Sequence, residues 1–153
     1  MRNFCVVLGL VALVSPVFSQ ELSSLKLMPW PSSIQLTAGA PLPITSAFRV
    51  GIATGSDPHL QNTVTIFLND LRRHTGMGAL DFHEAAPNES AQLQIRAEHA
   101  AKEPLDLGED ESYTLTVTSS QAQLTAPTTL GVMRGLQTFL QLAQVAGMSA
   151  GLA

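Results

Sequence analysis

The chain has 153 residues, with 8 Lys and Arg against 12 Asp and Glu and a net charge of −4; that length is close to one domain at about 150 residues each. A hydrophobic content of 45% excludes general disorder, because enough apolar surface is available to offset chain entropy. The acidic balance and scattered cations exclude an electrostatic footprint for nucleic acid, and a single cysteine, Cys5, excludes a disulfide framework or a cysteine-based zinc site.

Residues 1–19 read as a signal peptide. Arg2 supplies the positive start, Cys5 to Val14 form an apolar run, and Val17 and Ser19 stand three residues and one residue before a cleavage point ahead of Gln20. The run of about ten residues is too short for a bilayer, which takes about 20 helical residues. The mature chain is therefore expected to be exported, periplasmic or extracellular, with no membrane span and no cysteine, which suits an oxidising compartment.

Residues 28–43 begin Met28-Pro29-Trp30-Pro31, and prolines 41 and 43 follow. Proline at alternate positions forbids helix and forces extended backbone. Ile34 and Leu36 around Gln35 suggest a short strand after it. Trp30 is either a packing residue anchoring this opening or a sugar-stacking platform; its large apolar area favours packing.

Phe48, Val50 and Ile52 alternate with Arg49 and Gly51 and predict a strand. Gly55-Ser56 turn the chain, and Asp57-Pro58 are an N-cap with proline in the first helical position. Leu60, Val64, Phe67, Leu68 and Leu71 then share one helical face. Arg72, Arg73 and His74 complement the dipole at its far end, and Gly76 stops it. Residues 77–90 read as loop. Leu93, Ile95 and Ala97 alternate with polar residues as a second strand, and residues 99–110 are a polar connection. Tyr113, Leu115 and Val117 start a hairpin that turns at Ser119-Ser120-Gln121 and returns through Gln123 to Ala126. Pro127 and Thr128 open a second helix, whose apolar stripe is Leu130, Met133, Leu136 or Gln137, Leu140 and Ala143, with Phe139 beside it. The order predicts an α+β fold: a mixed β-sheet with two α-helices packed on one face.

Gly131 and Gly135 lie one turn apart on that second helix, and each costs about 1 kcal/mol relative to alanine. Close approach of a neighbouring backbone would offset this. Arg134, Gln137, Gln141 and Gln144 on the same helix exclude a membrane dimer. The expected neighbour is a surface outside the domain. Residues 147–153 are expected to be an irregular tail.

The chemical signals are weak. His83-Glu84 begins like the zinc helix motif H-E-x-x-H, but Pro87 stands where the second histidine should be, and proline would break the helix. His74 reads as capping a helix end, and His59 and His99 read as exposed. Glu109-Asp110-Glu111 is a carboxylate cluster of the kind glycosidases use, but an exposed acidic turn has nothing to raise a carboxyl pKa. Phosphate loops, nucleophile elbows and Cys/His pairs do not occur. Asn88-Glu89-Ser90 is a glycosylation sequon if the chain enters a eukaryotic secretory pathway.

Three stretches resemble family 20 β-N-acetylhexosaminidases: Leu27 to Ile34 their proline-rich opening, Glu111 to Val117 a strand late in their N-terminal domain, and Gly131 to Leu142 the helix leading into their catalytic barrel. The resemblance covers about residues 24–145. It implies an N-terminal α+β domain over residues 20–146 and a parent enzyme that removes terminal N-acetylglucosamine or N-acetylgalactosamine. There the sugar's own acetamido oxygen attacks the anomeric carbon, an Asp steadies that group, and the adjacent Glu is general acid/base. That pair follows a His-x-Gly-Gly stretch in the barrel, whereas Asp110-Glu111 here follow Leu107-Gly108-Glu109. The role does not carry over. The barrel's substrate-clamping arginine has no counterpart, since Arg134 belongs to the connecting helix.

No catalytic, cofactor-binding or metal-ligating residue is therefore assigned. The expected function is that of a non-catalytic N-terminal domain, a fragment whose partner is the catalytic barrel and which meets amino-sugar glycans only indirectly. The barrel is also the surface expected to meet the glycine pair. Two other readings remain: a standalone exported carbohydrate-binding module using Trp30, and a small hydrolase using the acidic cluster.

Overall fold

The computed structural model describes residues 25–36, 39–45, 48–53, 57–75, 83–85, 90–100 and 108–150, with side chains placed to residue 143 except at His83. The stretch expected to be a signal peptide, residues 1–19, together with Gly55-Ser56, Gly76, Asn88 and residues 151–153, lies outside the described residues. Among those described, the elements run β1 (Arg49–Ile52), α1 (Pro58–Thr75), β2 (His83–Glu84), β3 (Leu93–Ala97), β4 (Thr114–Val117), β5 (Ala122–Ala126) and α2 (Thr129–Ala150). The strands form one sheet in the order β2-β1-β3-β5-β4, parallel except for the β4–β5 hairpin.

Register explains which side chains make the core. Leu115 pairs with Leu124, Leu124 with Ile95, and Ile95 with Ile52, so these apolar residues form one row across the sheet. Leu93, Ile95, Ala122, Leu124 and Ala126 are buried, while Arg96, Gln123 and Thr125 between them are exposed. Both helices cover that apolar face, and α1, α2 and the strands share one core cluster. Phe139 sits at its centre, with its ring 6.0 Å from Phe48 and 5.8 Å from Phe67. One side chain thus joins α1, α2 and the residue that leads into β1. The opposite face stays polar, as alternation predicts for a half-covered sheet.

The helix starts are built as the sequence predicts. His59 N–H donates to Asp57 Oδ1 at 3.0 Å, which satisfies a donor that the first turn leaves over, and Gln61 N–H donates to the Asp57 carbonyl at 3.0 Å as the first intrahelical bond. Thr128 caps α2: its Oγ1 accepts from Gly131 N–H at 3.1 Å and donates to the Asp110 carbonyl at 2.6 Å. Buried Thr129 donates to Asp57 Oδ2 at 2.6 Å. The Asp57 carboxylate therefore caps one helix and ties it to the start of the other.

Several expectations need correction. Ile34 and Leu36 form no strand. That segment lies between two proline pairs and has no sheet neighbour among the described residues, β2 and β4 holding the sheet edges. The loop expected over residues 77–90 contains β2, which pairs with β1 through Arg49–His83 and Val50–Glu84; two residues are too few to show a period. Residues 147–150 of the expected tail continue α2. No proline interrupts them, and Gly147 alone costs only about 1 kcal/mol. The buried stripe of α2 is Val132, Leu136, Phe139 and Leu140, whereas Met133 is 44% exposed.

The last correction follows from the glycine pair. A Cβ on Gly131 would stand 2.3 Å from the Ser112 carbonyl oxygen and 2.9 Å from Ala126 Cβ; one on Gly135 would stand 2.2 Å from Leu124 Cδ1. The pair faces the domain's own β4–β5 hairpin, not an outside surface. With the pair against the hairpin, Met133 lies on the half-exposed side of α2. Behind the pair, Tyr113 Oη and Thr138 Oγ1 share a hydrogen bond of 2.6 Å, which seals the same seam.

Candidate functional site

The Glu109-Asp110-Glu111 turn sits just before β4, beside the start of α2. Asp110 folds back on itself: its Oδ1 accepts from Ser112 N–H at 2.8 Å. Hydrogen bonds from Ser112 hold its carboxyl below the usual value, against a smaller opposing effect of desolvation. Arg134 Nε donates to Glu111 Oε2 at 2.7 Å, both side chains being about half exposed at 48% and 49%. That hydrogen bond comes first in lowering the Glu111 pKa, with Coulomb attraction from Arg134 adding to it, and it raises the Arg134 pKa in turn.

Both carboxyls are thus held ionised at neutral pH. A general acid needs the reverse, an environment that keeps its proton. Asp110 serves as a turn residue, and Glu111 tethers the turn to α2. Glu109 has one oxygen, Oε2, shielded from water without a hydrogen-bond partner among the described residues.

The histidines stay apart. His59 and His74 are exposed on α1 and His99 is exposed after β3, while His83 belongs to β2. The zinc-helix reading of His83-Glu84 therefore has no helix to stand on. Among the described residues, no group of three or more His, Cys, Asp or Glu side chains is placed to hold a metal ion. No helix among them is long and apolar enough to cross a membrane.

Two depressions on the described surface lie along the helices. One of about 560 Å³ lies along α1, lined by Ile66, Asn69, Asp70, Arg72 and Arg73. Arg73 pairs with Asp70 there, and Arg72 donates to Asn69 Oδ1 at 2.9 Å. Residues of a single helix cannot wall in a substrate, so this is an open trough. The other, about 60 Å³ between Ile66 and Phe67 of α1 and Met133 and Leu136 of α2, is far below the 300–1,000 Å³ of a small-molecule pocket.

Trp30 departs from the packing role expected of it: it is 55% exposed, and Met28 is 80% exposed. The anchor of this segment is Leu27, only 6% exposed. Gln141 of α2 completes the attachment. Its Oε1 accepts from Met28 N–H at 2.8 Å and its Nε2 donates to the Met28 carbonyl at 2.8 Å. Sequence reasoning missed Gln141 because a glutamine on a helix carries no signal of a partner 113 residues away.

Residues 27–142 match the family described as beta-acetyl hexosaminidase like. The chain is 28% identical over 142 residues to beta-hexosaminidase subunit A1 of Dictyostelium discoideum, covering 90% of this chain and 24% of that protein. Among solved structures, Flavobacterium johnsoniae chitobiase superposes with a TM-score of 0.69 at 34% identity, over 80% of this chain and 18% of that one. The chain thus spans less than a quarter of the length of these relatives.

Proposed function

We infer function from kinship: the chain belongs to the beta-acetyl hexosaminidase like family, and we read it as the non-catalytic N-terminal domain of an exported β-N-acetylhexosaminidase. The parent enzyme would hydrolyse terminal β-linked N-acetylglucosamine or N-acetylgalactosamine by substrate-assisted attack. This domain would support the catalytic domain and meet the glycan only through it. The observation that carries the reading is the state of the carboxylates. Within a segment that matches the family over residues 27–142, the adjacent Asp110 and Glu111 are exposed and held ionised by Ser112 and Arg134.

Positioning an acetamide and protonating a leaving oxygen call for groups preorganised in a shaped, water-poor site. The test is release of 4-nitrophenol from its N-acetyl-β-glucosaminide by purified residues 20–153. No turnover above buffer is expected. Turnover abolished by Asp110→Asn with Glu111→Gln would replace this reading with a small hydrolase using the acidic cluster. Export is tested by intact mass: the secreted product should start at Gln20, and retention of residues 1–19 would refute it.

The exposure of Trp30 supports a second reading, a standalone amino-sugar-binding module. Downstream DNA separates the two. Barrel-coding sequence after codon 153 supports the enzyme domain; an unrelated gene, with N-acetylglucosamine binding in titration calorimetry, supports the module.

A further inference from the structure

The segment Leu27 to Pro31 is held firmly and yet displays two large apolar side chains to water. Leu27 is buried, and Gln141 clasps the Met28 backbone through both its donor and its acceptor at 2.8 Å. Pro29 and Pro31 fix their own φ angles and carry no N–H. Such a strap is preorganised, so a partner loses little conformational entropy in ordering it. Met28 at 80% and Trp30 at 55% exposure are residue types that protein interfaces concentrate, and tryptophan is a frequent energetic anchor.

We propose that the Met28-Pro29-Trp30-Pro31 strap, clasped by Gln141, is a docking element for the catalytic domain of a longer hexosaminidase. The proposal rests on the reading of this chain as one domain of such an enzyme. Two observations choose that occupant. The relatives at 28% and 34% identity are more than four times as long as the portion this chain matches, so most of each relative is available to lie against the domain. The clasp also fastens the strap to α2, the last element of the domain, so chain continuing from α2 would be tethered to the element that carries the strap. A glycan fits less well. The strap is apolar along its length, and the polar side chain known to touch it, Gln141, already commits its amide to the Met28 backbone.

The test compares the free chain with a chimera in which this domain replaces the matching segment of Flavobacterium johnsoniae chitobiase. Peptide-resolved oxidation reads the exposure of each methionine and tryptophan, since susceptibility follows access. In the free chain Met28 and Trp30 should oxidise readily; in the active chimera both should be protected about fivefold or more, as burial in an interface core requires. Met133, 44% exposed on the helix layer, is the internal comparison. Protection of Met133 with Met28 and Trp30 as reactive as in the free chain would assign docking to the helices and overturn the proposal. So would no protection anywhere in an active chimera. An inactive or unfolded chimera would refute the larger-enzyme reading, and the strap proposal with it.

Two measurements on the free chain complete the test. Met28→Ser with Trp30→Ser should lower its thermal midpoint only slightly, because Met28 is 80% and Trp30 55% exposed; a fall as large as that of a buried substitution such as Phe139→Ala would overturn the proposal. Trp30 is the single tryptophan in the sequence, so its emission reports the strap directly. Titration with N,N′-diacetylchitobiose should leave that emission unchanged. A saturable blue shift, lost in Trp30→Ser, would assign the strap to glycan.

Discussion

Replacing Gly131 by alanine gives opposite signs for the two uses that its helix could make of a glycine. If the residue served a surface outside the domain, alanine would stabilise the free chain by about 1 kcal/mol through helix propensity alone. The structure reverses this. The new Cβ would stand 2.3 Å from the Ser112 carbonyl oxygen and 2.9 Å from Ala126 Cβ, and a backbone oxygen cannot rotate away as a side-chain end can. Overpacking of a fixed site costs about 1–3 kcal/mol, sometimes more, and a clash with backbone belongs at the upper end. Set against the propensity gain, the net expectation is a loss of about 2 kcal/mol. For a domain of this size each kcal/mol moves the midpoint by about 2–6 °C, so calorimetry should show a fall of roughly 4–12 °C. Gly39→Ala is the control, because a Cβ there meets nothing within 4 Å. A Gly131→Ala midpoint at or above wild type would refute the assignment of the glycine pair to the β4–β5 hairpin.

Other substitutions read other joints of the fold. Asp57→Ala removes a cap worth about 1 kcal/mol and strands the buried Thr129 hydroxyl at a cost of about 1–3 kcal/mol; denaturant titration should show a total loss of about 2–4 kcal/mol, with Asp57→Asn, which keeps a capping oxygen, losing less. Phe139→Ala should cost about 3–5 kcal/mol, since its ring meets both Phe48 and Phe67, and unfolding curves would show too small a role if the loss stayed below that of an ordinary surface change. The folded Glu111 pKa lies below its ordinary 4.5, so the unfolded chain binds more protons between the two values. The contribution of the Glu111–Arg134 pair is present above 4.5 and fades as pH falls through the lower folded value. Glu111→Gln should flatten the acid limb of the stability profile slightly, the pair being exposed, and an unchanged limb would show the pair to be energetically silent.

What the sequence revealed depended on whether a signal was local. α1 was legible end to end because its cap, its proline, its five-residue apolar face and its basic last turn all lie within Asp57 to His74 and agree with one another. The strands at Arg49, Leu93 and Thr114 and the return at Ala122 were legible because each alternates long enough to show a period of two. β2 was not, since His83–Glu84 becomes a strand only by pairing with Arg49 and Val50. Ile34 and Leu36 alternate as a strand does, but alternation supplies no partner. From the sequence the acidic turn is expected to have nothing that raises a carboxyl pKa, and the structure lowers both Asp110 and Glu111. The specific causes, a turn closed by Ser112 and a tether to Arg134, needed coordinates.

The glycine pair and Trp30 failed for a common physical reason. A glycine in a helix tells the reader that something comes close, and a tryptophan that a large area seeks cover, but neither residue says on which side. For Gly131 the neighbour is Ser112, 19 positions earlier in the sequence; for the strap it is Gln141, near the far end of the chain. With both glycines against the hairpin, α2 presses onto the sheet, and Gln141 of the same helix grips the strap by its backbone. The domain's interior therefore closes through Gly131, Gly135, Leu27 and Phe139, and the apolar side chains displayed by the strap are surplus to its own packing. That surplus is what gives Met28 and Trp30 to a surface role, and loss of docking with little loss of domain stability is the separation that Met28→Ser with Trp30→Ser is designed to read.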